Sequence, residues 1–231
     1  MTEIDITTLN PDLWDYVTND QVLGWRVVHP FLNLSVSDPA EIATANRAYT
    51  SRSKALEAAI TNEDWHSFVF IHERYQRFHA LMQVIEVYNY DDPRGLWPLI
   101  GDVWIDTESS FRYRTEWIKL WSRQCASKHR VMTKDERKAL AALPRTVNVW
   151  RGVSHLDFLQ GLSWTTDRDK AIWFAKRGPS SGYLASGTIR RNEVLAYFDG
   201  RNESEIVALP ESIRGISIEQ IVGRHRSAAA A

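Results

Sequence analysis

The run Arg201-Asn202-Glu203-Ser204-Glu205-Ile206-Val207-Ala208-Leu209-Pro210 places two acids two residues apart at the mouth of an apolar strand. Side chains on a strand alternate sides with period 2. Glu203, Glu205, Val207 and Leu209 therefore share one side, and Ile206 and Ala208 face the other. A carboxylate in phase with core residues is costly unless something uses it. A second misfit stands in Val147-Asn148-Val149-Trp150-Arg151-Gly152-Val153, where Arg151 falls in phase with Val147, Val149 and Val153. An inward arginine on one strand and an inward glutamate on another point to a cleft that holds an anion and develops positive charge nearby. Between them in the chain lies Ser163-Trp164-Thr165-Thr166-Asp167, a short strand with two hydroxyls on one face. A helix carrying Ala171, Phe174 and Ala175 follows it.

Taken in order, arginine strand, hydroxyl strand and two-glutamate strand, the chain resembles the arginine–serine–glutamate class of mono-ADP-ribosyltransferases over about residues 145 to 223. The hydroxyl motif departs from the family, with Ser-Trp-Thr standing where Ser-Thr-Ser is usual. The resemblance implies a split, mixed β-sheet core that binds NAD between two small sheets. It implies that Arg151 holds a phosphate or ribose of NAD, for which a guanidinium offers bidentate donors. Gly152 would let the backbone approach the ligand. Ser163 and Thr165 would brace Glu205 or the ribose, and Trp164 or Phe174 would stack on nicotinamide. Cleaving the nicotinamide–ribose bond passes through an oxocarbenium-like transition state, as in glycoside hydrolysis. A carboxylate beside the ribose stabilises that charge, which is the role implied for Glu205. Glu203 would orient or deprotonate the incoming nucleophile.

By the same resemblance, ADP-ribose passes to a macromolecule, and Glu203 in the first acidic position favours a protein arginine. A nucleic-acid acceptor stays open. So do two other readings: an NAD glycohydrolase with water as acceptor, and a silent fold that only binds a partner. Such enzymes occur as toxins, effectors and phage proteins that modify host machinery. Each motif also has a structural reading. Arg151 reads as a strand-end ion-pair partner, Ser163 and Thr165 as edge hydroxyls, and Trp164 and Phe174 as core. Glu203 and Glu205 read as a solvated turn after Asp199-Gly200.

The elements that must position these residues divide the chain. Ser37-Asp38-Pro39-Ala40-Glu41 opens a helix that runs to about Ile60. Apolar residues at three-and-four spacing from Trp65 to Ile85 predict one helix ending near Tyr90, before Asp91-Asp92-Pro93-Arg94-Gly95. A third helical stretch covers Leu96 to Trp121 and Cys125, and a short one covers Asp135 to Leu143. After Pro144 the texture turns to strands, expected at 147–153, 162–166, 184–190, 194–199, 204–209 and 216–222, with one helix from Asp167 to Arg177. The expected class is α+β: a helical N-terminal region over 1–125 that recognises the target or covers the cleft, then a catalytic core over 126–231.

Composition narrows the classes. The 231 residues are 44% hydrophobic, enough for a real core. The net charge of −1 gives no global field toward nucleic acid. No apolar run is long enough for a bilayer, so no membrane partner is expected. A single cysteine, Cys125, excludes an internal disulfide and suits a cytoplasm. The acidic start lacks the apolar run of a signal peptide, and residues 228–231 read as a flexible end. His72-Glu73 followed by His79 lacks the zincin spacing, and His66 and His129 stand apart from other ligand types, so no metal is expected.

Overall fold

The computed structural model describes residues 6–107, 110–178, 181–200 and 203–221. Residues 1–5 and 228–231, on which the expectations about the chain ends rested, lie outside them. The described chain is α+β, with helices beside antiparallel sheets. Two compact units divide it, residues 1–92 and 93–231. The division falls at the Asp91 to Gly95 break rather than at 125, so the helices after 92 join the C-terminal unit.

The N-terminal unit is not purely helical, as expected, but opens with a three-stranded antiparallel sheet: β1 (Val17–Asp20), β2 (Gly24–His29) and β3 (Leu32–Ser35). Strands β2 and β3 close through Pro30-Phe31, with His29 opposite Leu32. Their inner residues Val27 and Leu32 pack with Leu9, Leu13 and Val36 against Ile42 and Ala45 of helix α1 (Pro39–Thr61). Asp38 caps α1 by accepting the amide of Glu41 at 2.8 Å, as the Asp-Pro-Ala-Glu pattern requires. The single helix expected from Trp65 is two, α2 (Trp65–Ile71) and α3 (Arg77–Glu86). The break has a tertiary cause. Glu73 donates its amide to Pro30 O at 2.9 Å and holds Arg52 through its carboxylate at 2.7 Å. Those two bonds keep residue 73 extended, which a helical periodicity cannot foresee.

The C-terminal unit begins with α4 (Pro93–Asp106), α5 (Arg114–Trp121) and α6 (Lys134–Ala142). A capping box starts α6: Glu136 N donates to Thr133 Oγ1, and Thr133 N donates to the Glu136 carboxylate. Then come β4 (Thr146–Val153), β5 (Ser163–Thr165), α7 (Arg168–Ala175), β6 (Gly182–Arg190), β7 (Ala196–Phe198), β8 (Glu205–Val207) and β9 (Arg214–Ile221). The six strands form one sheet in the order β7-β8-β5-β4-β6-β9. Every pairing is antiparallel, so the expected mixed sheet is corrected. A mixed sheet needs a parallel neighbour pair, and no described strand has one.

This sheet has two unequal halves. Strands β4, β6 and β9 are eight or nine residues long, whereas β5, β7 and β8 have three each. The halves meet through a single register pair, Trp150 with Thr165. Beyond that pair β4 and β5 part. Helix α7 packs on the long half through small residues. Ala171 and Ala175 are fully buried, and a Cβ at Gly152 would overlap Ala171 O and lie 2.7 Å from Ala175 N. Gly182 is equally tight against Ala175 and Val153.

The charge is not evenly divided. Residues 1–92 carry 14 acids and 6 bases, net −8, while residues 93–231 carry 15 acids and 22 bases, net +7. The overall −1 hides a basic C-terminal unit. No described helix is long and apolar enough to cross a membrane.

Gly152→Ala should lower unfolding free energy by about 3 kcal/mol or more, because its methyl meets backbone that cannot step aside. Gly200→Ala, with nothing within 4 Å of the new Cβ, should stay within about 1 kcal/mol of wild type. Urea melts of both proteins check this, and equal midpoints would remove the packing argument.

Candidate active site

Strand β5 lies between β4 and β8, and its last residue, Thr165, stands opposite Trp150 on one side and Glu205 on the other. Three neighbouring strands thus bring the three motifs together. Glu205 opens β8 and is 6% exposed, one of the few buried charged residues described. Phe198 of β7 stands opposite it, so the acid is inside the sheet and not on a turn. Its Oε1 accepts the indole N–H of Trp104, on α4, at 3.2 Å.

Arg151 sits where β4 and β5 separate. Its Nε donates to Phe158 O at 3.0 Å, and an Nη1 hydrogen goes to Ser163 O. The guanidinium lies against Gly161, where a Cβ would overlap it. Two of its five donors therefore hold the backbone that borders the split. Burial pushes its pKa down to about 10, and the Glu205 carboxylate pulls it back up. The group is charged at neutral pH. Arg151 and Glu205, 54 positions apart in the chain, thus interact electrostatically across β5.

Thr165 is buried and engaged in the local backbone. Its hydroxyl donates to Glu203 O at 2.6 Å and accepts the Asp167 amide at 2.9 Å. It shapes the entry to β8 and the start of α7. Asp167 in turn caps α7 by accepting the amides of Asp169 and Lys170. Ser163 is half-buried, and its carbonyl anchors Arg151.

Glu203 precedes β8 rather than lying in it. Ser204 between the two acids has φ +44, a left-handed conformation that is costly for serine. Asp199 holds it there, accepting from Ser204 N at 3.2 Å and Ser204 Oγ at 3.3 Å. The period-2 argument that put Glu203 and Glu205 on one side therefore fails at Ser204. Glu205 is buried while Glu203 is half-exposed, so the two acids occupy different environments.

Two expected ligand contacts are corrected. Trp164 is 3% exposed, a core ring with no surface left for stacking. Gly152 admits the backbone of α7 rather than that of a ligand. Phe174 is half-buried and meets Trp173 edge to face at 5.0 Å. The open ring on α7 is Trp173, 56% exposed under the guanidinium of Arg177 at 5.6 Å. A helical wheel carried the signal, since Ala171 and Ala175 toward the sheet put position 173 outward. Trp104 and Gly161 were also missed. No strand pattern could reveal Trp104, which reaches Glu205 across 101 positions from a helix.

Among the described residues no three His, Cys, Asp or Glu side chains are grouped to hold a metal ion. No family model, curated protein or solved structure matches this chain.

Arg151→Lys keeps the charge and loses the planar fork that reaches two carbonyls. It should lower unfolding free energy by about 2 kcal/mol. A denaturant midpoint equal to wild type would show that the carbonyl bridges carry no weight.

Proposed function

We propose that this protein is a mono-ADP-ribosyltransferase that cleaves NAD and transfers ADP-ribose to a macromolecular acceptor, a protein arginine before any other. The observation that carries the reading is the buried Glu205 with the half-buried Arg151 as its opposite charge, on strands either side of β5 where the sheet splits. A structural ion pair alone would not account for the half-exposed second acid, Glu203, held two residues away by a strained serine. The basic character of the C-terminal unit also suits an anionic dinucleotide.

In this reading the C1′–N bond of the nicotinamide ribose breaks, and nicotinamide leaves with the bonding electrons. Glu205 faces the positive charge that grows on the ribose, in a site dry enough for that attraction to count. Arg151 draws the anionic part of the substrate to the split with the donors not held by carbonyls. The acceptor nucleophile then bonds C1′ and loses a proton. Glu203, nearer solvent, takes that proton or orients the acceptor. The place of action is the cytoplasm of the producer or of a host.

Purified protein incubated with labelled NAD and a cell lysate should release nicotinamide and label a macromolecule, identified by mass spectrometry. Nicotinamide release with no labelled product would mean that water is the acceptor. Neither product would sink the proposal. Glu205→Gln should slow nicotinamide release by about a hundredfold, with the thermal midpoint within about 5 °C of wild type. Equal turnover would take Glu205 out of the mechanism. Glu203→Gln should reduce transfer to protein more than hydrolysis to water, and equal losses would count against an acceptor-facing role.

A further inference from the structure

A carboxylate that must stabilise a forming charge has to point the right way as well as be charged. The resemblance assigns that bracing to the hydroxyl strand, but here the Thr165 hydroxyl is already engaged with Glu203 O and the Asp167 amide. Arg151 acts on Glu205 through its charge, while it donates hydrogen bonds to the Phe158 and Ser163 carbonyls. A directional contact comes from α4. Trp104 donates its indole N–H to Glu205 Oε1 at 3.2 Å, and both side chains are buried, 2% and 6% exposed.

The indole is itself locked. Trp117 meets its ring edge to face at 4.9 Å and 85°, and Trp121 does so at 5.5 Å and 86°. Trp121 is held in turn by Trp97, at 6.2 Å, and by Lys128, which donates to the Trp121 carbonyl. Trp104 is thus packed into a cluster of four tryptophans from α4 and α5. A rigid aromatic donor loses little freedom on forming such a bond. A donor held at one carboxylate oxygen restricts rotation of the group and so narrows the directions open to Oε2.

We infer that Trp104 is a positioning residue for Glu205, its clamped indole N–H setting the orientation of the catalytic carboxylate. The catalytic role of Glu205 in this statement rests on the transferase reading, whereas the contact itself does not. The site then extends beyond the three strands to the helices at 93–121. Those helices belong to the machinery and not to a detachable cover.

Trp104→Phe keeps an aromatic ring in the cluster and deletes the donor. Nicotinamide release by this variant should show kcat lower by about tenfold, as loss of a hydrogen bond to a charged group predicts. The KM for NAD should stay within about twofold, because Trp104 is too buried to touch substrate. Equal kcat in wild type and variant, or a loss confined to KM, overturns the positioning role. A second measurement needs neither turnover nor the variant. The Trp104 indole resonance in a proton–nitrogen spectrum should move upfield in Glu205→Gln, as a charged acceptor becomes a neutral one. An unmoved resonance overturns the contact. A wild-type protein that releases no nicotinamide sinks the transferase reading and leaves the spectrum to decide the indole–carboxylate bond.

Discussion

A carboxylate cannot be taken out of water and left alone. Glu205 is buried inside the sheet, and the C-terminal unit is arranged around compensating it. The guanidinium of Arg151 supplies opposite charge, and the indole of Trp104 supplies a directed donor. The need is mutual, because burial lowers the arginine's pKa to about 10 and the glutamate is what raises it. A largely desolvated pair of this kind is poor evidence for stability, since desolvation consumes most of its attraction. It is better evidence for use, because a charged group perturbed by burial and by a specific partner is a mark of functional sites.

The shape of the sheet follows from where this pair is placed. The long half, β4 with β6 and β9, is built on extended ladders and on α7 packed through glycine and alanine. The short half has strands of three residues, too brief to stand on propensity alone. Side-chain contacts hold it: Thr165 on Glu203 O, Asp199 on Ser204, Trp104 on Glu205. One register pair joins the halves, and Glu205 stands opposite the same Thr165 that makes it. Arg151 binds both borders of the split through Phe158 O and Ser163 O. Stiff scaffold and tailored edge are thus kept on separate strands, and the chemistry proposed above lies at their junction.

Charge is organised on a larger scale as well. A net charge near zero conceals one acidic unit and one basic unit. The basic unit is the one that holds Arg151 and Glu205. A field of that sign gathers anions around the unit, which suits the substrate proposed above.

Much of this was legible in the residues. Six strands after Pro144 and the helix capped by Asp167 follow from local pattern, which a short stretch of chain carries by itself. Tertiary contacts decided the rest. The three-stranded sheet near the start, the break at Glu73 and the unit boundary at Asp92 depend on partners distant in sequence. So does the fate of Gly152 and Trp164, since glycine beside a helix and tryptophan in a core look the same in sequence as glycine and tryptophan beside a ligand. The donor to Glu205 is the clearest instance. A strand pattern says that an acid points inward, but only the folding of α4 against the sheet determines which buried group meets it.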